Sequence, residues 1–292
     1  MTEQQTFDSS IFRPGLLKDK VLELVKPGLL IAVYDTETTG LYPEQGDRII
    51  EFAGILWLVQ EDYTLKWVNQ TQIYIKPPTP VSQEIVELTG ITNEFLADKP
   101  SEAEVVDAIR AFLKQADVAV GHNIPFDNRF VKTTMERNNR LNPIGNILDS
   151  LKMARDIVDQ DMVENNKLET LVTALGLNDG VQFHSAIDDV GATSKLFEAM
   201  LQQYIAQDDN ADVELITVKV ESVSYWAKHD MERLYFNTDI GSVFLDLKSD
   251  YLGTKDKEID ATRINRAQLE RDAMKLIGVN TVEALLAFRG KK

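Results

Sequence analysis

Leu29-Leu30-Ile31-Ala32-Val33-Tyr34-Asp35-Thr36-Glu37-Thr38-Thr39-Gly40 carries an unbroken apolar run into a pair of carboxylates. A short run of this kind, set between Pro27-Gly28 and Gly40, reads as a strand buried on both faces. Side chains at i and i+2 of an extended strand share a face, so Asp35 and Glu37 can grip one ion while Thr36 points away. Paired hard oxygen ligands select Mg²⁺ or Mn²⁺ over zinc. Taken alone, the same pair is simply a strand ending in a polar turn closed by Gly40, so the rest of the chain must decide.

Upstream, Leu17, Val21, Leu24 and Val25 share a helical face, which predicts an N-terminal leader helix within residues 1–27. Downstream, residues 48–59 and 65–75 alternate as extended segments around the polar Gln60-Glu61-Asp62-Tyr63, predicting an antiparallel meander with the first strand. Helical patterns follow at 82–88, 92–97 and 101–114, the last opened by Ser101-Glu102-Ala103-Glu104 with capping-box spacing. Two short strands, 118–120 and 146–148, alternate with helices at 125–138, 149–158, 167–175 and 187–204. This order predicts an α/β fold with a mixed β-sheet and helices on both faces, spanning residues 28–204. Gln207-Asp208-Asp209-Asn210 marks a linker over 205–212, and residues 213–292 read as a small α+β accessory domain. Within it, β ribbons over 215–226 and 233–247, with a turn at Thr238-Asp239-Ile240-Gly241, precede helices at 268–276 and after Asn280, where Asn280 and Glu283 stand in capping-box spacing.

Composition narrows the function classes. With 292 residues the chain can bury a large core, and with no cysteine it has no disulfide, thiolate metal site or cysteine nucleophile. The start lacks a basic and an apolar signal region, and no run approaches the roughly 20 apolar residues of a membrane span, so a cytoplasmic protein without membrane contact is expected. A net charge of −16 disfavours bulk duplex binding, which needs Lys and Arg against phosphates. It weighs less against an enzyme that holds a strand terminus, because bound cations supply a local positive field. The acidity is uneven, −13 before residue 205 and −3 after it.

Two further segments carry carboxylates to positions where α/β folds present ligands. His122-Asn123-Ile124-Pro125-Phe126-Asp127 follows a strand and opens a helix, with Pro125 suited to its first turn. His184-Ser185-Ala186-Ile187-Asp188-Asp189 combines an imidazole with acids at the start of another helix. Singly, these are a loop histidine and ordinary first-turn acids that complement the helix dipole. Together they are harder to dismiss, since two of the three histidines fall inside these motifs. Four acids drawn together would repel by several kcal/mol per pair at about 4 Å and an effective dielectric of about 20. Divalent cations would let them stay ionised.

In that order the segments resemble the three exonuclease motifs of the DEDD superfamily in its histidine subclass, DEDDh, which includes the proofreading epsilon subunit of DNA polymerase III. Ile49-Ile50-Glu51-Phe52-Ala53-Gly54, Glu87-Leu88-Thr89-Gly90-Ile91-Thr92, Asp149-Ser150-Leu151-Lys152-Met153-Ala154-Arg155 and Lys167-Leu168-Glu169-Thr170-Leu171 also look like that family. The resemblance covers residues 28–202 and implies a ribonuclease H-like fold. It makes Asp35, Glu37, Asp127 and Asp189 the ligands of two Mg²⁺ or Mn²⁺ ions and His184 the general base. The implied activity is 3′–5′ hydrolysis of DNA, releasing nucleoside 5′-monophosphates. Two adjacent acids, Asp188 and Asp189, stand where the family usually has one, and the family's four-residue gap after His184 selects Asp189.

By the same resemblance, Thr38, Leu41, Asn123 and Phe126 are expected to line the nucleotide cleft, with Phe126 equally readable as core. Lys132, Arg137, Arg140, Lys152, Arg155 and Lys167 are candidates for a basic rim, and equally for a solvated face. In the tail, Trp226, Tyr235, Phe236 and Phe244 read as a small β core, with base stacking as the alternative, and Arg263, Arg266, Arg271 and Lys275 as a phosphate-facing helical stripe. The expected partners are single-stranded DNA or DNA 3′ ends, with a DNA polymerase or other replication protein alongside. Trimming of RNA 3′ ends is the nearest alternative activity. An inactive scaffold that docks a replication or repair partner is the alternative of a different class.

Overall fold

The apolar run becomes β1 (Leu30–Thr38), the central strand of a five-stranded sheet. In the computed structural model, residues 7–178, 185–207, 216–228, 231–247, 251–254 and 261–289 are described. They fall into two compact units, Met1–Ala211 and Asp212–Lys292.

β2 (Ile49–Val59) pairs antiparallel with β1, and β3 (Leu65–Tyr74) antiparallel with β2, forming the expected meander. On the other side, β4 (Val118–Gly121) runs parallel to β1, and β5 (Asn146–Asp149) parallel to β4. The order β3-β2-β1-β4-β5 therefore brings the C-terminal ends of β1, β4 and β5 to one edge, where α/β sheets present ligands.

Alternate residues of β1 enter different cores, as the period of two requires. Ile31 and Val33 pack with Val190, Phe197 and Leu201 of α8 (Ala186–Ala206). Ala32 and Tyr34 pack with Ile109 and Phe112 of α4 (Glu102–Leu113), and with Phe130 and Met135 of α5 (Ile124–Arg137). This is the mixed sheet with helices on both faces and the ribonuclease H-like architecture expected from the sequence.

α2 (Gln83–Thr89) and α3 (Asn93–Leu96) lie between β3 and α4, while α6 (Ser150–Ile157) and α7 (Leu168–Ala174) precede α8. The Ser101 backbone N–H donates to Glu104 Oε2 at 2.7 Å, as the capping-box spacing predicts. The leader α1 (Lys18–Leu24) belongs to the first unit's core through buried Val21 and Val25. Buried Asp156 holds its approach, accepting from the Leu16 and Leu17 N–H groups at 2.9 Å and from the Tyr204 hydroxyl at 2.8 Å. α8 continues through Ile205 and Ala206, into the stretch read as linker.

The second unit is an antiparallel sheet in the order β6-β7-β8-β9, formed by β6 (Val220–Lys228), β7 (Met231–Thr238), β8 (Gly241–Asp246) and β9 (Tyr251–Thr254). The expected turn joins β7 to β8, with Gly241 at φ 137°, a value that suits glycine, and the Thr238 hydroxyl donating to Gly241 O at 2.7 Å. Leu234, Phe236, Val243 and Leu245 pack with Leu269 and Ala273 of α9 (Arg266–Ile277) and Leu285 of α10 (Val282–Leu286).

Three tail expectations change. Thr281, rather than Asn280, caps α10, accepting from Ala284 N–H at 3.1 Å. Arg263 precedes α9 in the 3₁₀ turn Ala261–Arg263, so the four bases do not form one helical stripe; Arg266 pairs with Glu270 at 2.7 Å and Lys275 with Asp272 at 4.0 Å. Of the four aromatics, Phe236 lies in the core, whereas strand alternation places Trp226, Tyr235 and Phe244 on the opposite sheet face.

Candidate metal centre

Asp35 and Glu37 leave the end of β1 on the α8 face, and the first turn of α8 carries Asp189 toward them. One carboxylate oxygen from each of the three lies within 4.8 Å of the others, and Asp188 is not in this group. Asp189 N–H donates to Ser185 O at 2.9 Å, which fixes the first turn that presents its side chain.

Asp127 arrives differently. It stands on α5, across the sheet from α8, and its Oδ1 accepts from Thr36 N–H at 3.0 Å and the Thr36 hydroxyl at 2.7 Å. Thr36 does point away from Asp35 and Glu37, as alternation requires, and what it meets there is Asp127. The four acids are therefore a cluster of three plus one carboxylate tied to the strand residue between Asp35 and Glu37.

The electrostatics report crowding. Burial, followed by the charges of Asp127, Glu37, Asp189 and Glu51, holds the Asp35 carboxyl well above the usual carboxylate range. Glu37 is pushed up to about 7, first by burial and then by Glu51, Asp189 and Asp127. Asp127 is also pushed up to about 7 by burial, against the lowering effect of the Thr36 hydrogen bonds. Carboxylates brought together out of water repel and take up protons, unless a cation offsets their charge. An all-oxygen donor set suits Mg²⁺ or Mn²⁺, so the residues present fit divalent metal.

Several neighbours escaped the sequence reading. Glu51, noted there only within a family-like block, stands opposite Glu37 in the β1–β2 register. It is 2% exposed and accepts from Gln72 Nε2 at 2.6 Å. An acid opposite an acid across two strands was the available signal, but it needs the register. Arg129 of α5 donates to Leu41 O and pairs with Glu44 at 3.7 Å, fastening the loop after β1. The Leu41 side chain is left 59% exposed at that loop.

The remaining site residues have mixed settings. Thr38 is buried and its hydroxyl donates to Gly40 O at 2.7 Å. Asn123 takes a left-handed conformation at the N-cap of α5, and its N–H donates to Asp149 Oδ1 at 2.9 Å. Phe126 is half-buried against Phe130, with ring centroids 5.1 Å apart. His122 has both ring nitrogens engaged, Nδ1 with Ser150 Oγ at 3.0 Å and Nε2 with Asn166 O at 2.9 Å, and burial lowers its pKa. His184, the expected base, lies outside the described residues.

The basic rim is largely structural. Arg137 binds Glu102 at 2.7 Å and the carbonyls of Pro43 and Asp47, while Arg140 grips both Asp107 oxygens. Lys132 pairs with Glu136 at 3.9 Å on the same helix. Among the described residues no helix is long and apolar enough to cross a membrane.

Residues 32–197 match the family model described as Exonuclease. The chain is similar to the DNA polymerase III subunit epsilon of Buchnera aphidicola, 32% identical over 176 residues that cover 58% of this chain and 71% of that protein. With the Pasteurella multocida subunit the identity is 29% over 225 residues, 73% of this chain and 86% of the relative. A PolC-type DNA polymerase III of Bacillus subtilis is 34% identical over 58% of this chain, which spans only 11% of that polymerase. In architecture the chain is similar to Escherichia coli Exonuclease I in complex with a dA16 oligonucleotide, at TM-score 0.56 and 19% identity over 90% of this chain and 75% of the other.

Proposed function

The chain belongs to the exonuclease family, and from that membership and the carboxylate cluster at the end of β1 we propose that it removes nucleotides from the 3′ end of DNA. The proximity of Asp35, Glu37 and Asp189 is the observation that carries this reading. These three residues, with Asp127 beside them, would hold two Mg²⁺ or Mn²⁺ ions. When bound, the cations supply Lewis-acid stabilisation of the scissile phosphate and lower the pKa of the attacking water.

The protein's own residues do the rest. Thr36 fixes the Asp127 carboxylate through two hydrogen bonds. Asp149 holds the Asn123 backbone at the start of α5, and Arg129 holds the Leu41 carbonyl in the loop after β1. His184, with a reference pKa of about 6.5, takes the proton of the attacking water. The bond to the 3′ oxygen breaks, and a nucleoside 5′-monophosphate leaves. His122 is a poor alternative base, since both of its nitrogens already have partners.

DNA is favoured over RNA by the names of the epsilon relatives, and their role suggests work beside a polymerase. The inactive-scaffold reading is disfavoured by the retained acidic cluster. The deciding assay gives the purified chain 5′-labelled DNA and RNA of matched sequence, single- and double-stranded, with Mg²⁺ or Mn²⁺. Stepwise shortening of DNA from the 3′ end with 5′-monophosphate release is expected. Faster shortening of RNA would transfer the activity to RNA, and no hydrolysis with either metal would overturn the proposal.

A further inference from the structure

The second unit carries an aromatic surface that its own core does not use. Its core lies on one sheet face, where Leu234, Phe236, Val243 and Leu245 meet the helices. On the other face Trp226 is 37% exposed, and Tyr235 lies diagonally across the β6–β7 register, in which Trp226 opposes Arg233 and Ser224 opposes Tyr235. Phe244 supports Tyr235 from β8, with ring centroids 5.8 Å apart. The Arg233 guanidinium lies over the Phe244 ring at 4.1 Å and is held by Asp246 at 3.3 Å. Two aromatic side chains are thus presented on a braced base of ring and guanidinium.

Beside them runs a polar row of matching geometry. Asn237 Nδ2 donates to Ser222 Oγ at 2.8 Å, and the Ser242 hydroxyl donates to Asn237 Oδ1 at 2.6 Å. Asp246, on this face, is paired with Arg233. Charge points the same way: residues 212–292 carry a net −1, against −15 for residues 1–211. For a polyanion, this unit is the less repulsive of the two.

We propose that this outer face of the β6–β9 sheet is a binding surface for single-stranded DNA, stacking bases on Trp226 and Tyr235 and meeting them with the serine and asparagine row. Sequence-tolerant stacking suits a strand whose bases change as its end is shortened. The inference rests on the proposed exonuclease reading for its occupant, single-stranded DNA.

The test separates the two. Binding of fluorescein-labelled (dT)30 to the full chain is followed by anisotropy in EDTA, so that no hydrolysis contributes. Trp226→Ala and Tyr235→Ala are each expected to weaken binding about tenfold, the scale of one lost stacking contact. Ser242→Glu, an exposed position, adds a negative charge without removing packing, and is expected to weaken binding as well. Hydrolysis of a dinucleotide with Mg²⁺ should be unchanged in all three variants, as should their circular dichroism. Unchanged (dT)30 affinity in Ser242→Glu and in the folded aromatic variants would overturn the proposal, as would wild-type affinity too weak to detect. A protein-docking role for this face would give that same unchanged affinity. Failure of wild type to hydrolyse both the dinucleotide and longer DNA with Mg²⁺ or Mn²⁺ would overturn the exonuclease reading while leaving the binding result readable.

Discussion

Asp188 and Asp189 are chemically identical neighbours, and one residue of helical rotation separates their roles. Asp189 approaches Asp35 and Glu37, whereas Asp188 does not join them. Asp189→Ala is therefore expected to lower Mg²⁺-dependent turnover by about 1,000-fold, equivalent to several kcal/mol of lost transition-state stabilisation, while Asp188→Ala keeps most of it. Single-turnover rates of the two variants check this, and the reverse order would remove Asp189 from the site. Thr36→Val keeps the shape of the side chain but deletes the 2.7 Å bond to Asp127, with an expected loss of about 10–100-fold in metal affinity or rate. The pH behaviour has a defined sign. Glu37 rises from 4.5 to about 7 on folding, so the folded metal-free state binds its proton more tightly than the unfolded chain does. Its contribution to stability is fully present below the unfolded pKa and is lost as pH rises through about 7. Mg²⁺, which needs the ionised ligands, should raise the melting temperature more at about pH 8 than at about pH 5. Equal increments at both pH values would contradict this.

Elements were legible wherever local periodicity was clean. The meander, the helices around it and the capping box at Ser101 follow from spacing within one element. Their mutual packing sets finer limits. A methyl group on Gly54 of β2 would sit 2.5 Å from a Phe112 ring carbon, so strand and helix approach too closely for any side chain there. Gly54→Ala should cost about 1–3 kcal/mol by overpacking, measured by urea denaturation, with little change in turnover per folded molecule. Sequence reasoning failed where two residues competed for one task. Thr281 and Asn280 can both cap a helix, and backbone placement gives the task to Thr281.

Across the whole molecule, long-range polar ties join segments that the chain keeps far apart. Asp156 gathers the leader, α6 and α8 through Leu16, Leu17 and Tyr204, so Asp156→Ala should destabilise the first unit by about 3 kcal/mol through three orphaned donors. Thermal or urea unfolding reads this directly, and a change below about 0.5 kcal/mol would contradict it. By itself, the sequence determined the order of strands and helices, the pairing of Asp35 with Glu37 on one strand face, and the candidacy of Asp127 and Asp189 as helix-start acids. Those features depend on spacing within one element, which the covalent chain sets directly. Only the tertiary structure decided that Asp127 is tied to Thr36 from the opposite sheet face, that Glu51 faces Glu37, and that Arg137 and Arg140 are bound by acids of α4. It also separated Phe236, in the core, from Trp226 and Tyr235 on the open face. Periodicity says which side of an element a residue occupies, while register and packing, set by distant parts of the chain, decide what it meets there.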